Sequence, residues 1–150
     1  MIGPNPVSQK CRYALRAIFE LALRDSADPI KIQDIASAQT IPPRFLEVIL
    51  AELKHAGFVE SRRGNDGGYI LATDPHSLTV GKVIDYVQGR TGKRERPSRP
   101  DGDVTGDYAF GQLWKSTTEA VSNIYNGTTF ADLVEQELDR KRSYIANYAI

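Results

Sequence analysis

The chain has 150 residues, 41% hydrophobic and 25% charged, and its 19 Lys/Arg balance 19 Asp/Glu for a net charge of zero. That is the size of one domain, or of one small domain with an extension, in the composition of an ordinary globular protein. A membrane span is excluded because no apolar run approaches the roughly 20 residues required, and a disulfide framework because Cys11 is the only cysteine; a lone thiol fits a reducing cytoplasm.

The neutrality hides an asymmetry. Residues 1–90 hold 11 Lys/Arg against 10 Asp/Glu, whereas residues 101–150 hold 4 against 8. Between them Lys93, Arg94, Arg96 and Arg99 face only Glu95. A nucleic-acid binder needs a local basic face and not a domain-wide excess, so neutrality leaves that class open.

The opening residues 1–7 have neither a basic nor an apolar signal region, so no signal peptide is expected, and Pro4 and Pro6 predict an irregular leader. Ser8 suits the N-cap of a first helix over about 9–24, with Ala14, Ala17, Ile18 and Leu21 on one buried face. A loop at 25–29 leads to a short helix over 32–39 with Ile32, Ile35 and Ala36 inward. Thr40-Ile41-Pro42-Pro43 reads as a turn, and Pro43 suits a first helical position. A third helix then runs to about Ala56, burying Leu46, Ile49, Leu50 and Leu53, with Gly57 as its stop.

Next come two strands, about 58–62 and 68–72, joined by Arg62-Arg63-Gly64-Asn65-Asp66-Gly67-Gly68-Tyr69. Asn65, Asp66, Gly67 and Gly68 are residues that tolerate the positive φ of a tight turn. A fourth helix over about 80–88 carries Val80, Val83, Ile84 and Val87. Apolar residues nearly vanish over 89–107, which reads as a linker or loop. Beyond it Phe110, Trp114, Thr117, Val121 and Ile124 form a heptad-like seam, read as a dimer interface in preference to packing within the same domain. Gly127 ends that helix, and Thr129 with Asp132 resembles a capping box for a last helix from Phe130 to Tyr144 or beyond.

The expected fold is therefore mainly α with a small β-wing: a winged helix-turn-helix over residues 1–88, a linker or loop over 89–107, and a dimerisation helix plus C-terminal helix over 108–150. In that layout the helix beginning at Pro43 enters the major groove of double-stranded DNA. Arg44 is placed to contact guanine or clamp a phosphate. Glu47 is placed to accept from cytosine or to orient Arg44, and Val48 to touch a thymine methyl. Phe45 packs either on sugar or in the core. Arg63, beside Gly64 at the wing tip, suits a narrow minor groove, and Arg62 and Lys10 suit phosphates. A protein-interaction adaptor is the competing class, for which the acidic final third would be the docking surface. An enzyme is not expected: no nucleophile–base pair or metal-ligand spacing appears, and the glycine hairpin does not open a helix as a dinucleotide fingerprint does.

Several segments together resemble the Rrf-type winged-helix transcriptional regulators, the IscR/NsrR/CymR group: SQKCRYALRA at 8–17, IPPRFLEVIL at 41–50, LKHAGFVESRRG at 53–64, GGYILA at 67–72, LTVGKVI at 78–84 and TTFADL at 128–133. The resemblance implies a homodimeric bacterial regulator, usually a repressor, on a partly palindromic operator. It places base contacts on Arg44, Phe45, Glu47 and Val48, the wing-tip arginine at Arg63, and dimerisation on the long helix after the linker. Many members hold an iron–sulfur cluster on three cysteines before that helix. This chain has no cysteine between Gly89 and Phe110, so it resembles a cysteine-poor branch, and neither cofactor nor metal is expected. An effector, small molecule or protein, remains an unidentified partner. Cys11 is a candidate redox thiol near a helix N-terminus, although Ala14 and Ile18 on its face favour an inert buried thiol.

Overall fold

Helical periodicity sorts the described residues into six helices and one hairpin. The computed structural model describes residues 7–89 and 104–149, in the order α1 (Gln9–Arg24), α2 (Ile32–Gln39), α3 (Pro43–His55), β1 (Val59–Arg62), β2 (Gly68–Leu71), α4 (Val80–Gly89), α5 (Asp107–Gly127) and α6 (Phe130–Tyr148). Residues 90–103 of the expected linker lie outside the described residues. Its ends are helical, since Gly89 closes α4 and Asp107 opens α5.

Local chemistry accounts for the helix ends. The Cys11 N–H donates to the Ser8 hydroxyl at 3.2 Å, so Ser8 caps α1. At the end of α3 the Gly57 N–H reaches the Lys54 carbonyl and the Phe58 N–H reaches the Leu53 carbonyl, both at 3.0 Å. Gly57 has φ of 83°. Two such bonds closing on a left-handed glycine satisfy carbonyls that the helix leaves open. The apolar stripes of α1, α3 and α4 all face one core, in which Ile18, Ile35, Leu46, Leu50, Leu53 and Val83 are fully buried.

β1 and β2 pair antiparallel, Val59 opposite Leu71 through Arg62 opposite Gly68. The turn differs from expectation. Positive φ falls on Gly64, at 118°, and on none of residues 65–68; the Gly67 N–H closes the turn on the Gly64 carbonyl at 3.0 Å. Gly68 is needed for another reason: Ile30 bonds to Tyr69 in both directions at 2.9 Å, and a Cβ on Gly68 would overlap the Ile30 carbonyl. The segment before α2 thereby joins the wing as a one-residue third strand.

The α5–α6 corner returns to this body. The Val80 N–H donates to the Thr128 carbonyl at 2.9 Å, and the Phe130 N–H to the Leu78 carbonyl at 3.1 Å. Phe130, the first residue of α6, is fully buried in the same core as α1, α3 and α4. The capping box forms as expected: the Asp132 N–H donates to the Thr129 hydroxyl at 3.1 Å, and the Thr129 N–H to the Asp132 carboxylate at 2.9 Å. The hydrogen bonds from Thr129 hold the Asp132 carboxyl below its usual range. The carboxylate half of the cap is therefore complete above an ordinary aspartate pKa and is lost as pH falls through the lowered native value, while the bond to the Thr129 hydroxyl does not titrate. Thr129→Ala should cost about 1 kcal/mol and keep most of that cost in acid, because the bond it removes does not titrate, whereas the gap between Asp132→Ala and the unaltered protein should narrow as pH falls; urea melts at pH 7 and pH 3 measure both.

Candidate nucleic-acid interface

The residues of α2 and α3 alternate between a buried and an open side, and the open side carries the candidate site. Leu46, Ile49, Leu50 and Leu53 anchor α3, which leaves Arg44, Phe45, Glu47 and Val48 on its outer surface. Phe45 is 61% and Val48 56% exposed, which decides the position left open for Phe45: it stands in solvent, outside the core. Two apolar side chains held in water on the first turns of a helix, flanked by charged ones, offer a partner a mixed apolar and polar surface. No side chain caps α3, because Pro42 precedes Pro43 and neither offers an acceptor. Pro43 has no N–H and the Phe45 N–H already reaches the Pro42 carbonyl at 3.1 Å, which leaves the Arg44 N–H at the positive end of the helix dipole, a position suited to phosphate.

The wing sits directly after α3 in the chain. The Lys54 ammonium donates to the Ser61 hydroxyl at 2.6 Å, tying the end of α3 to β1. Arg62, Arg63 and Gly64 are exposed at the far end of the hairpin. Among the described residues, no ion pair or side-chain hydrogen bond engages Arg44, Glu47, Arg62 or Arg63. Glu47 therefore does not orient Arg44 in this structure, and both are free to meet a ligand. Lys10 is differently placed: its ammonium lies 2.7 Å from the Glu52 carboxylate, bracing α1 against α3. Both partners of that pair are partly exposed, so a phosphate can compete for the lysine.

One set of polar residues escaped sequence reasoning. Gln33, Ser37 and Thr40 line a groove of about 650 Å³ that ends at Ile41, Pro42 and Pro43. They occur at i, i+4 and i+7, the polar stripe complementary to Ile32, Ile35 and Ala36, and that spacing was the available signal. They extend the open side from α3 across α2, the helix that crosses the DNA backbone in this motif.

Cys11 is fully buried, and desolvation pushes its thiol up to about 11. Burial outweighs the helix N-terminus, so the side chain is a protonated thiol at neutral pH. Of the seam residues on α5, Phe110, Trp114 and Ile124 are exposed, while Thr117 and Val121 are half-buried. No residue of this 21-residue helix is buried. Among the described residues no helix is long and apolar enough to cross a membrane.

Comparison with known proteins points the same way. The Rrf2 family, described as an iron-dependent transcriptional regulator, matches residues 7–136. The chain is 29% identical over 140 residues to the HTH-type transcriptional regulator CymR of Bacillus subtilis, covering 93% of this chain and 96% of that protein. It is 33% identical over 132 residues to the regulator IscR of Yersinia enterocolitica, covering 87% and 80%. Among solved structures, CymR of B. subtilis, titled the global cysteine regulator, superposes with a TM-score of 0.74 at 30% identity over 88% of this chain and 98% of that one. IscR of T. potens superposes with a TM-score of 0.71 at 28% identity over 89% and 88%. The donor set here does not fit an iron–sulfur cluster: Cys11, His55 and His76 are the only thiol and imidazole side chains in the chain. Cys11 is sealed in the core, and among the described residues no three His, Cys, Asp or Glu converge on a metal site.

Proposed function

The chain belongs to the Rrf2 family of DNA-binding transcriptional regulators, and from that membership we propose that it works as a cytoplasmic homodimeric repressor on a partly palindromic operator, without an iron–sulfur cluster. The observation that carries the reading is the uncovered surface of α3, where Phe45 and Val48 stand in solvent beside the unpaired Arg44 and Glu47. A major groove offers a cover of matching chemistry: guanine acceptors for Arg44, a cytosine amino group for Glu47, and thymine methyls or sugar for Val48 and Phe45. Pro43 sets the helix start against the backbone, and Lys10 and Arg62 add phosphate contacts. Arg63, carried past Gly64, enters the adjacent minor groove. Residues up to the end of α4 form the reading unit. Helices α5 and α6 pair two copies through Phe110, Trp114, Thr117, Val121 and Ile124, so that two reading units face one duplex.

Selection from random duplex DNA should return two half-sites about one helical turn apart. On the selected duplex, Arg63→Ala should weaken binding about tenfold, mainly where the flanks are A·T-rich, and should flatten the salt dependence by about one counterion. Unaltered footprints and salt slope for Arg63→Ala would remove the wing from the interface.

A further inference from the structure

We propose that Glu20 is a positioning residue for DNA recognition: acting through Gln39, its carboxylate sets the tilt of α3 against α1 and so decides how sharply one operator is preferred over other DNA. The inference rests on the reading of α3 as the helix that enters the groove.

Glu20 is the only buried charged residue among the described residues, 5% exposed. Both carboxylate oxygens are engaged. Arg24 Nε donates to Oε1 at 2.8 Å, and Gln39 Nε2 donates to Oε2 at 2.7 Å. Arg16 Nη1 in turn donates to Gln39 Oε1 at 3.3 Å. Arg16, Glu20 and Arg24 occupy one stripe of α1, and Gln39 is the last residue of α2. An apolar side chain of similar volume would fill the position without desolvating a charge. Apolar contact tolerates sliding, however, whereas a short charge-assisted hydrogen bond does not.

What that bond holds lies three residues from the reading helix. Thr40 turns the chain in the left-handed region at φ 54°. Ile41 is buried and its N–H returns to the Ala36 carbonyl at 2.9 Å. Pro42 and Pro43, each with φ restricted by its ring, then open α3. The connection has no slack, so a rotation at the end of α2 is passed to Arg44, Phe45 and Glu47. Glu20 touches no ligand itself.

The test exchanges the two side chains. In Glu20→Gln with Gln39→Glu, residue 39 carries the carboxylate and accepts from Arg16, the amide at 20 donates to it, and the amide oxygen at 20 still accepts from Arg24. Every bond is retained with the middle one reversed. In Glu20→Gln alone two amides and two guanidinium groups compete for two acceptor oxygens, and in Gln39→Glu alone two carboxylates collide. Affinity is measured at one salt concentration, below the melting temperature, for the duplex the unaltered protein selects and for a shuffled duplex of the same composition. Each single variant should lower the selected-to-shuffled ratio about tenfold, with shuffled binding unchanged, and the exchange should restore it to within about threefold. Arg16→Ala removes only the exposed outer link, leaves the core intact, and should lower the ratio about threefold. A ratio unmoved in Arg16→Ala and in the single variants, or an exchange as impaired as they are, would overturn the proposal. Failure of the unaltered protein to select any duplex would instead overturn the reading of α3, and the proposal with it.

Discussion

Phe130→Ala should destabilise the protein by about 3–5 kcal/mol, roughly 10 °C in melting temperature. Phe130 is the largest fully buried side chain among the described residues, and it opens α6 directly after the Thr128–Phe130 segment bonds to Leu78 and Val80. Truncation leaves a cavity where helices from both ends of the chain meet, and the Thr129 cap is poorly placed to close it. Guanidinium melts should show a lower midpoint with an unchanged slope, and operator affinity should fall near the new melting point while surviving well below it. An unfolding free energy within about 1 kcal/mol of the unaltered protein's would mean that the α5–α6 corner is not part of the cooperative core.

Trp114→Asp should separate the two copies of the proposed dimer. On α5, Phe110 and Trp114 stack at 6.2 Å between ring centroids, yet they are 59% and 61% exposed, and Ile124 is 66% exposed. A solitary helix with this much apolar surface in water is marginal, and a second copy of the same stripe is the simplest cover. Burial of an indole contributes about 3 kcal/mol per copy, and a two-fold interface counts it twice. A carboxylate there should raise the dimer dissociation constant by roughly a thousandfold or more without moving the monomer's melting point much. Sedimentation equilibrium reads the mass, and a gel shift on the selected palindrome should show affinity collapsing with it. Dimers persisting in the Trp114→Asp protein at low micromolar concentration would put the pairing surface elsewhere on the chain.

The helices were legible from end to end. Ser8, Pro43, Gly57, Thr129 and Asp132 are local punctuation, and each sits at the boundary its chemistry predicts. Four apolar stripes with a period near 3.6 residues were enough to name most of the core, since a stripe on a short amphipathic helix has little choice but to be buried. Arg44, Glu47 and Val48 could be placed on the open side for the same reason, being the complement of Leu46, Ile49 and Leu50.

Contacts between distant segments were not legible, and they supply what periodicity lacks. Phe130 looked like a helix start and is a core residue, because its burial depends on Leu78 and Val80 some fifty positions earlier. Gly68 looked like a turn former and is instead the space into which Ile30 fits. Phe45 was ambiguous because its position on the helix lies at the edge of the apolar stripe, where only the neighbouring elements determine whether a ring is covered. Glu20 sat unremarked beside the apolar residues of α1, since a carboxylate can be buried only where Arg24 and Gln39 arrive to satisfy it. Patterns along a chain carry the local preferences of backbone and solvent; which residues at long separation complete one another's packing and hydrogen bonds is set when the helices cross.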